Sequence, residues 1–141
     1  MSVTLDLHPM PTYLHATVTG EYAAEEMKRV LAAIVSAGQR HRLLNLLIDC
    51  QGVTGDPTLR ERFEMVSFAL QPRINALIEG RKIGFRTAVV GTPPLIHPAR
   101  YGMRLLVERN LKVTVCERLE EALAWLGVEA GVDQQPAGPS P

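Results

Sequence analysis

Two segments near the N-terminus alternate apolar and polar residues. They span positions 3–8 and 13–19, and the turn between them contains Pro9 and Pro11. A period of two places every second side chain on one face, as in a strand that is buried on one side only. Because proline cannot donate to a sheet ladder, the pattern predicts an antiparallel pair with one member near a sheet edge.

The next two segments have a helical pattern and then a strand pattern. Apolar residues at positions 23–37 recur every three or four residues, and Gly38 follows them. This spacing predicts an amphipathic helix that stops at the glycine. Positions 43–48 are almost continuously apolar, which is typical of a strand covered on both faces. We expect this strand to end at Asp49 and a polar loop to follow it.

A second helix is predicted over positions 57–80. Asp56 is a good N-cap, and Pro57 is a good first helical residue. Pro72 lies inside the segment, so we expect a kink, or a break into two helices near Leu70. Phe68 projects away from the main apolar stripe. The members of that stripe, which we expect to face the core, are Leu59, Phe63, Val66, Leu70, Ile74 and Leu77.

The C-terminal half continues the alternation of strands and helices. It contains predicted strands at 85–90 and 112–116 and predicted helices at 98–110 and 119–126. Positions 128–141 are rich in Gly, Pro and Gln, so we expect a disordered tail. The order β-β-α-β-α-β-α-β-α predicts one α/β domain over positions 1–127. Its mixed, mostly parallel five-stranded sheet is expected to carry four or five helices.

Composition and charge narrow the classes of partner. A chain of 141 residues suffices for one domain with its own core. The formal net charge is zero, so the overall charge favours neither nucleic acid nor a membrane surface. Positions 57–112 nevertheless hold ten Lys/Arg against four Asp/Glu. Two interpretations stay open: a solvated surface, and an anion-preferring face or one half of a charge-complementary contact.

Cys50 and Cys116 are the only cysteines. The chain has neither a leader-peptide pattern nor an apolar run long enough to span a bilayer. We therefore expect a cytoplasmic protein whose thiols are free. Two thiols are too few for a zinc site, and none of the four histidines stands at ligand spacing from them. We expect no metal and no cofactor.

The sequence lacks the common catalytic motifs. It has no Gly-x-Ser-x-Gly elbow, no phosphate-binding glycine loop and no His-Glu-x-x-His pair. Asp49 and Cys50 are adjacent, but no histidine is placed nearby in sequence to activate the thiol. We interpret Asp49 as a residue that binds loop N–H groups and Cys50 as a buried thiol. The prediction is a protein that is not an enzyme.

Positions 47–54 read Leu-Ile-Asp-Cys-Gln-Gly-Val-Thr. This stretch resembles the strand and loop of anti-sigma-factor antagonist domains, the STAS (sulfate transporter and anti-sigma-factor antagonist) family. Positions 13–20, 85–90 and 119–126 further resemble the SpoIIAA-like branch of uncharacterised bacterial proteins, whose last helix carries Ala-Leu-x-Trp-Leu. The resemblance covers about positions 11–127, and it implies a STAS fold with a role in binding other proteins.

The chain departs from the STAS pattern at one functional point. Phosphorylated members follow Gly-Val-Thr with Asp-Ser-Ser/Thr-Gly, whose serine receives the phosphate. Here the stretch reads Gly55-Asp56-Pro57-Thr58, with no serine. A phosphate on Thr58 would find unpaired N–H groups at the helix start, but Asp56 would repel it. The family role in sigma-factor control therefore does not transfer residue by residue.

Two surfaces are candidates for function. Sites in open α/β sheets form at the carboxyl edge, where strand-to-helix loops meet. The second surface is the side of the 57–80 helix that carries Phe68, away from the main apolar stripe. The edge residues are Asp49, Cys50, Gln51, Thr54, Asp56, Thr58, Thr92 and His97, and the helix residues are Met65, Phe68, Ala69 and Pro72.

Two functions remain open. The first is a non-enzymatic STAS-like module that binds a protein partner or itself, as a homodimer, through the 57–80 helix. The second is a binder of a small apolar or anionic metabolite or lipid. In that case the kinked helix would form a lid over a cleft lined by Leu59, Phe63 and Ile74. Neither function involves nucleic acid or an integral membrane segment.

Overall fold

The computed structural model describes residues 3–82, 84–96 and 111–128. Within them lie five strands and three helices. In chain order these are β1 (Val3–Pro9), β2 (Leu14–Glu21), α1 (Ala24–His41), β3 (Asn45–Thr54), α2 (Leu59–Ile78), β4 (Arg86–Val90), β5 (Val113–Cys116) and α3 (Leu119–Leu126). The helix expected at 98–110 lies outside the described residues, as does the expected tail apart from Val128.

The strands form one sheet in the order β1-β2-β3-β4-β5. β1 pairs with β2 in antiparallel fashion, and the other three pairings are parallel. The opening hairpin and the mostly parallel α/β sheet predicted from sequence are therefore confirmed. The described residues hold three helices rather than four or five, partly because α2 runs through Pro72 as a single helix.

The third strand is longer than predicted. We expected it to end at Asp49, but β3 continues to Thr54. Its pairing with β4 stops at Asp49, whereas its pairing with β2 resumes after an irregularity and reaches Glu21. The polar stretch after Asp49 is therefore still a strand, because β2 continues to supply its backbone partners.

The apolar run in β3 is buried on both sides, as its pattern predicted. Leu46 and Ile48 pack on one face of the sheet with α1, and Leu47 packs on the other face with α3. Helices on both faces explain why the run does not alternate. Residues that complete the α3 face are Tyr13, Ala88, Val90, Cys116, Ala122, Leu123 and Leu126.

The first helix passes through the glycine that was expected to stop it. Gly38 is buried inside α1, which ends one turn later where Arg42 adopts a left-handed conformation with φ of 57°. A Cβ at Gly38 would lie 2.9 Å from Leu46 Cδ2. The glycine therefore serves close packing of α1 on β3 rather than helix termination.

The start and orientation of α2 differ from the prediction. Thr58, not Asp56, is the N-cap, and it forms a capping box with Glu61. Ala76 is the only buried residue of this helix. The stripe expected to face the core is largely exposed: Leu59 is 80% exposed, Phe63 72%, Val66 53% and Leu77 51%.

The physical reason for this error is a property of helical periodicity. A period of 3.6 shows which residues share a face, but it does not show which face meets the protein. In the structure the side that meets α1 and the sheet includes Met65, Ala76 and the guanidinium of Arg73.

Candidate functional site

Asp49 and Gln51 lie at the carboxyl edge of the sheet. The Asp49 Oδ1 atom accepts a hydrogen bond from the Gln51 backbone N–H at 3.0 Å. This contact agrees with the role that we inferred for Asp49, an acceptor for nearby backbone N–H groups. Thr54 Oγ1 donates to the Gly20 carbonyl at 3.3 Å, which ties the end of β3 to β2.

Cys50 is placed unfavourably for chemistry. Its side chain lies in the core between the sheet and α1, with 4% of its surface exposed. Burial, with a smaller contribution from Asp49, raises the pKa of the Cys50 thiol to about 12. A thiol with that pKa is protonated at neutral pH and is a poor nucleophile. Cys116 packs on the opposite face of the sheet, and neither cysteine forms a disulfide.

The start of α2 is held by side chains that bond locally. Thr58 Oγ1 accepts from the Glu61 N–H at 3.1 Å, and Glu61 Oε1 accepts from the Thr58 N–H at 2.7 Å. Thr58 is exposed but its hydroxyl is already used, and the Glu61 carboxylate lies beside it. The capping box satisfies two backbone donors of the helix N-terminus.

Arg62 joins the two loops that we expected to meet at this edge. Its Nη2 atom donates to Asp56 Oδ1 at 3.0 Å and to the Pro94 carbonyl at 2.5 Å. Nη1 donates to the Leu95 carbonyl at 2.7 Å, and Nε donates to the Pro57 carbonyl at 3.0 Å. The β3–α2 loop and the loop after β4 are therefore fastened together by one guanidinium.

Sequence reasoning missed this contact because most of its acceptors are backbone carbonyls, which every residue carries. Of the remaining predicted edge residues, Thr92 is exposed, and its carbonyl accepts from the Ile96 N–H at 3.1 Å. His97 lies outside the described residues. Thus the edge brings Asp56 close to the loop after β4, and internal hydrogen bonds engage Asp49, Thr54, Asp56 and Thr58.

Arg73 fastens the second half of α2. It donates to the Phe85 carbonyl at 2.7 Å, to the Leu111 carbonyl at 2.9 Å and to Thr87 Oγ1 at 2.7 Å. Burial lowers the pKa of the Arg73 guanidinium to about 10. The side chain therefore links α2 to the beginning of β4 and to the segment before β5.

Arg86 is also used internally. It donates to the Trp125 carbonyl at 2.7 Å, and its guanidinium lies 4.3 Å from the centre of the Trp125 ring. Arg62, Arg73 and Arg86 all belong to the basic excess noted in positions 57–112. Because their donors bind backbone carbonyls of this chain, these three residues contribute little to an anion-preferring face.

In the part of the chain that the structure describes, one large apolar surface is exposed. We call it the α2 apolar face, and it consists of Leu59, Phe63, Val66, Leu70, Ile74 and Leu77. Four members are more than half exposed, and Leu70 and Ile74 are partly buried. From its first to its last residue the face is about 27 Å long at 1.5 Å per residue.

The four residues predicted as a helix interface lie on other sides of α2. Met65 packs against the core around α1. Phe68 is 41% exposed, and the Lys28 ammonium of α1 lies 5.8 Å from the centre of its ring. Ala69 and Pro72 are exposed. Met65 and Phe68 thus contribute to the contact between the two helices.

Within residues 3–82, 84–96 and 111–128, two side-chain polar atoms are buried without a hydrogen-bond partner, His15 Nε2 and the Tyr22 hydroxyl. Burial lowers the pKa of His15, although Asp49 acts in the opposite direction. Burial raises the pKa of Tyr22, with Glu61 and Glu64 adding to the effect. Among the described residues no three His, Cys, Asp or Glu side chains form a cluster that could hold a metal ion.

None of the three described helices combines the length and the apolar character that a membrane-spanning segment needs.

Comparison with known proteins identifies a family and a fold. Residues 13–127 match the family model described as SpoIIAA-like. Among solved structures, an anti-sigma factor antagonist from Mycobacterium paratuberculosis is similar, with a TM-score of 0.52 and 17% identity, covering 89% of this chain and 95% of that chain. An uncharacterised protein with a SpoIIAA-like fold from Shewanella loihica aligns with a TM-score of 0.47 and 18% identity, covering 89% of this chain and 93% of that chain. No curated protein matches the chain.

Proposed function

This chain belongs to the SpoIIAA-like family, and we propose that it is a non-enzymatic interaction module that binds protein through the α2 apolar face. The family match confirms the resemblance seen in the sequence, and the fold is the STAS-like α/β fold that it implied. The observation that carries the proposal is the exposure of the α2 apolar face, in which Leu59 and Phe63 are 80% and 72% exposed.

The size of the exposed surface supports a binding role. Burial of a large apolar side chain stabilises by ~1.5–3 kcal/mol, and at ~25 cal/mol per Å² this free energy implies that the side chain exposes roughly 100 Å² when fully in water. Scaled by the exposed fractions, the α2 apolar face presents about 300 Å² to water. Contiguous apolar patches of this order on monomeric proteins are often interaction sites.

The polar residues of the sheet edge support the non-enzymatic part of the proposal. The pKa of the Cys50 thiol is about 12, so a thiolate is not available at neutral pH. The Thr58 hydroxyl serves the capping box, and the Arg62 guanidinium binds three carbonyls and Asp56. A catalytic site needs polar groups directed at a substrate, and these groups are directed at the chain itself.

The small-molecule alternative has less support. It required Leu59 and Phe63 to line a cleft beneath a helical lid, but both side chains are mostly exposed. The Arg62 and Arg73 hydrogen bonds also hold α2 near both of its ends. A helix fastened in this way is better suited to present a fixed surface than to open and close.

Photo-crosslinking in living cells tests the proposal. A photoreactive phenylalanine analogue replaces Phe63 in one variant and Leu44 in another. Leu44 is the matched control because it is 58% exposed and lies outside α2. We expect a covalent protein adduct from position 63 and none from position 44. Equal adducts at both positions, or no adduct at position 63, would contradict the proposal.

A further inference from the structure

We propose that the partner of the α2 apolar face is a second copy of this chain, bound through an antiparallel α2–α2 contact whose twofold axis crosses that face at the level of position 68 along the helix. This inference rests on the proposed function, because it names the occupant of the same surface. Four features of α2 carry it: the spacing of the face, its self-complementarity, its lack of charge and its area.

The spacing of the face favours a helix as the occupant. From Leu59 to Leu70 the apolar residues are separated by four, three and four positions. This is the spacing of a coiled-coil seam, in which side chains of one helix enter the gaps on another helix. The next step, from Leu70 to Ile74, is four again, so the seam continues to Leu77 with one local shift.

Among the described helices, α2 alone presents such an uncovered seam. The apolar residues Met27, Ile34 and Ala37 of α1 are buried against the sheet. The apolar face of α3 is buried on the other side of the sheet. Within the described part of the chain, the uncovered helical face that matches α2 is therefore that of α2 in another copy.

The face is close to self-complementary when two copies run antiparallel. With the twofold axis near position 68, Leu59 lies opposite Leu77 of the second copy, and Val66 lies opposite Leu70. Phe63 then faces position 73 of the second copy, one residue from Ile74, so each large exposed residue lies opposite or next to an apolar residue. A twofold contact of this kind uses the same patch on both copies and closes at a dimer. Antiparallel helices also place opposite ends of their macrodipoles together.

Charge and area are consistent with self-association. The formal net charge of the chain is zero, so two copies do not repel one another overall. No charged residue belongs to the α2 apolar face. A standard interface buries ~800 Å² per partner, of which roughly 60% is apolar. The α2 apolar face exposes about 300 Å² at roughly 100 Å² per fully exposed side chain, which is about two thirds of the apolar area that one partner of such an interface buries.

Sedimentation equilibrium of the purified protein, from about 1 to 200 μM, measures the association. We expect Leu59→Glu and Phe63→Glu to weaken dimerisation about 100-fold, because a symmetric interface carries each substitution twice. Leu44→Glu is the control, since it also places a glutamate at an exposed leucine, and it should leave the dimer intact. Phe68→Glu tests the flank predicted from sequence; loss of the dimer in that variant alone would overturn the proposed face.

Cysteine crosslinking tests the antiparallel orientation. The native thiols of Cys50 and Cys116 are buried, so any disulfide between chains formed with copper–phenanthroline comes from the introduced surface cysteine. Val66→Cys lies near the axis and should form a disulfide with itself. Leu59→Cys should not, because the two copies of that position are about 27 Å apart at 1.5 Å per residue. A mixture of Leu59→Cys with Leu77→Cys should crosslink.

The outcomes separate this inference from the proposed function. A monomer at every concentration, together with a different protein crosslinked at position 63 in cells, overturns the self-association and leaves the interaction module in place. A monomer with no adduct at position 63 overturns both. Self-crosslinking of Leu59→Cys, without crosslinking to Leu77→Cys, overturns the antiparallel arrangement.

Discussion

Replacing Arg73 by methionine removes the three hydrogen bonds that hold the second half of α2 to the sheet. Methionine keeps a comparable unbranched, apolar stem, so the change tests the guanidinium rather than the packing of the side chain. The Phe85 and Leu111 carbonyls and the Thr87 hydroxyl would each lose a charged donor. We expect a clear loss of stability without a change of fold.

The magnitude follows from the three hydrogen bonds. Hydrogen bonds to charged groups contribute a net ~1.5–3 kcal/mol each, a range that already includes desolvation of the partners. Burial lowers the pKa of the Arg73 guanidinium to about 10, which indicates a substantial desolvation of the charge, so we take the lower end of that range. Three bonds then predict that Arg73→Met lowers the free energy of unfolding by about 4 kcal/mol.

Equilibrium unfolding in urea, followed by circular dichroism, measures this loss. Arg81→Met is the matched control, because the Arg81 side chain is exposed and its Nε atom binds the exposed Glu79 at 2.7 Å. Surface ion pairs contribute ~0–1 kcal/mol, so this control should change little. Arg73→Lys should resemble Arg73→Met, since one ammonium cannot reproduce the fork of three bonds. Equal stability of the Arg73→Met and Arg81→Met variants would refute the reasoning.

Three further predictions concern the core and the sheet. Gly38→Ala should lower the free energy of unfolding by ~1–2 kcal/mol despite alanine's better helix propensity, because the alanine Cβ would lie 2.9 Å from the buried Leu46 Cδ2. A variant that is more stable than the parent in thermal unfolding would contradict this. Burial lowers the pKa of His15, so as the pH falls the unfolded chain protonates this imidazole before the folded chain does, and stability should fall below pH ~6.5. His15→Gln should reduce the pH dependence of the urea midpoint between pH 7.5 and 5. An unchanged pH dependence would count against the lowered pKa of His15. The pKa of the Cys50 thiol is about 12, and Cys116 is also buried, so neither cysteine should react with a thiol reagent at pH 8 until urea unfolds the chain. Rapid labelling of the native protein would show that the thiols are accessible.

The parts of the fold that could be predicted are those set by local sequence. The apolar run through Leu46, Leu47 and Ile48 indicated a strand covered on both faces, and the structure places helices on both sides of it. The final helix was predicted with its observed bounds, Leu119–Leu126. In both cases burial pattern and backbone propensity agree, so local sequence was sufficient.

The orientation of α2 could not be predicted because both of its sides carry apolar residues. One side presents Phe63 and Val66, and another presents Met65 and Ala76. Apolar periodicity alone favoured the longer stripe as the core face. The inward side also carries Arg73, whose hydrogen bonds to the Phe85 carbonyl and to Thr87 Oγ1 have no counterpart in the apolar pattern.

The arginine contacts were unpredictable for a different reason. Arg62 and Arg73 bind backbone carbonyls at the distant residues Leu95 and Leu111, and a carbonyl has no sequence signature. In the sequence these arginines contributed only to a count of positive charge. The candidate site is therefore the apolar face of α2 rather than the sheet edge, where Thr58 and Arg62 bond within the chain.

An isotope-filtered NOE experiment on a mixture of labelled and unlabelled chains tests the central claim most directly. If two copies meet through the α2 apolar face, methyl groups of Leu59 on a labelled copy should show NOEs to Leu77 of an unlabelled copy. The exposed Leu44 methyl groups should show none. Intermolecular NOEs that arise outside α2, or none at concentrations where sedimentation detects a dimer, would contradict the claim.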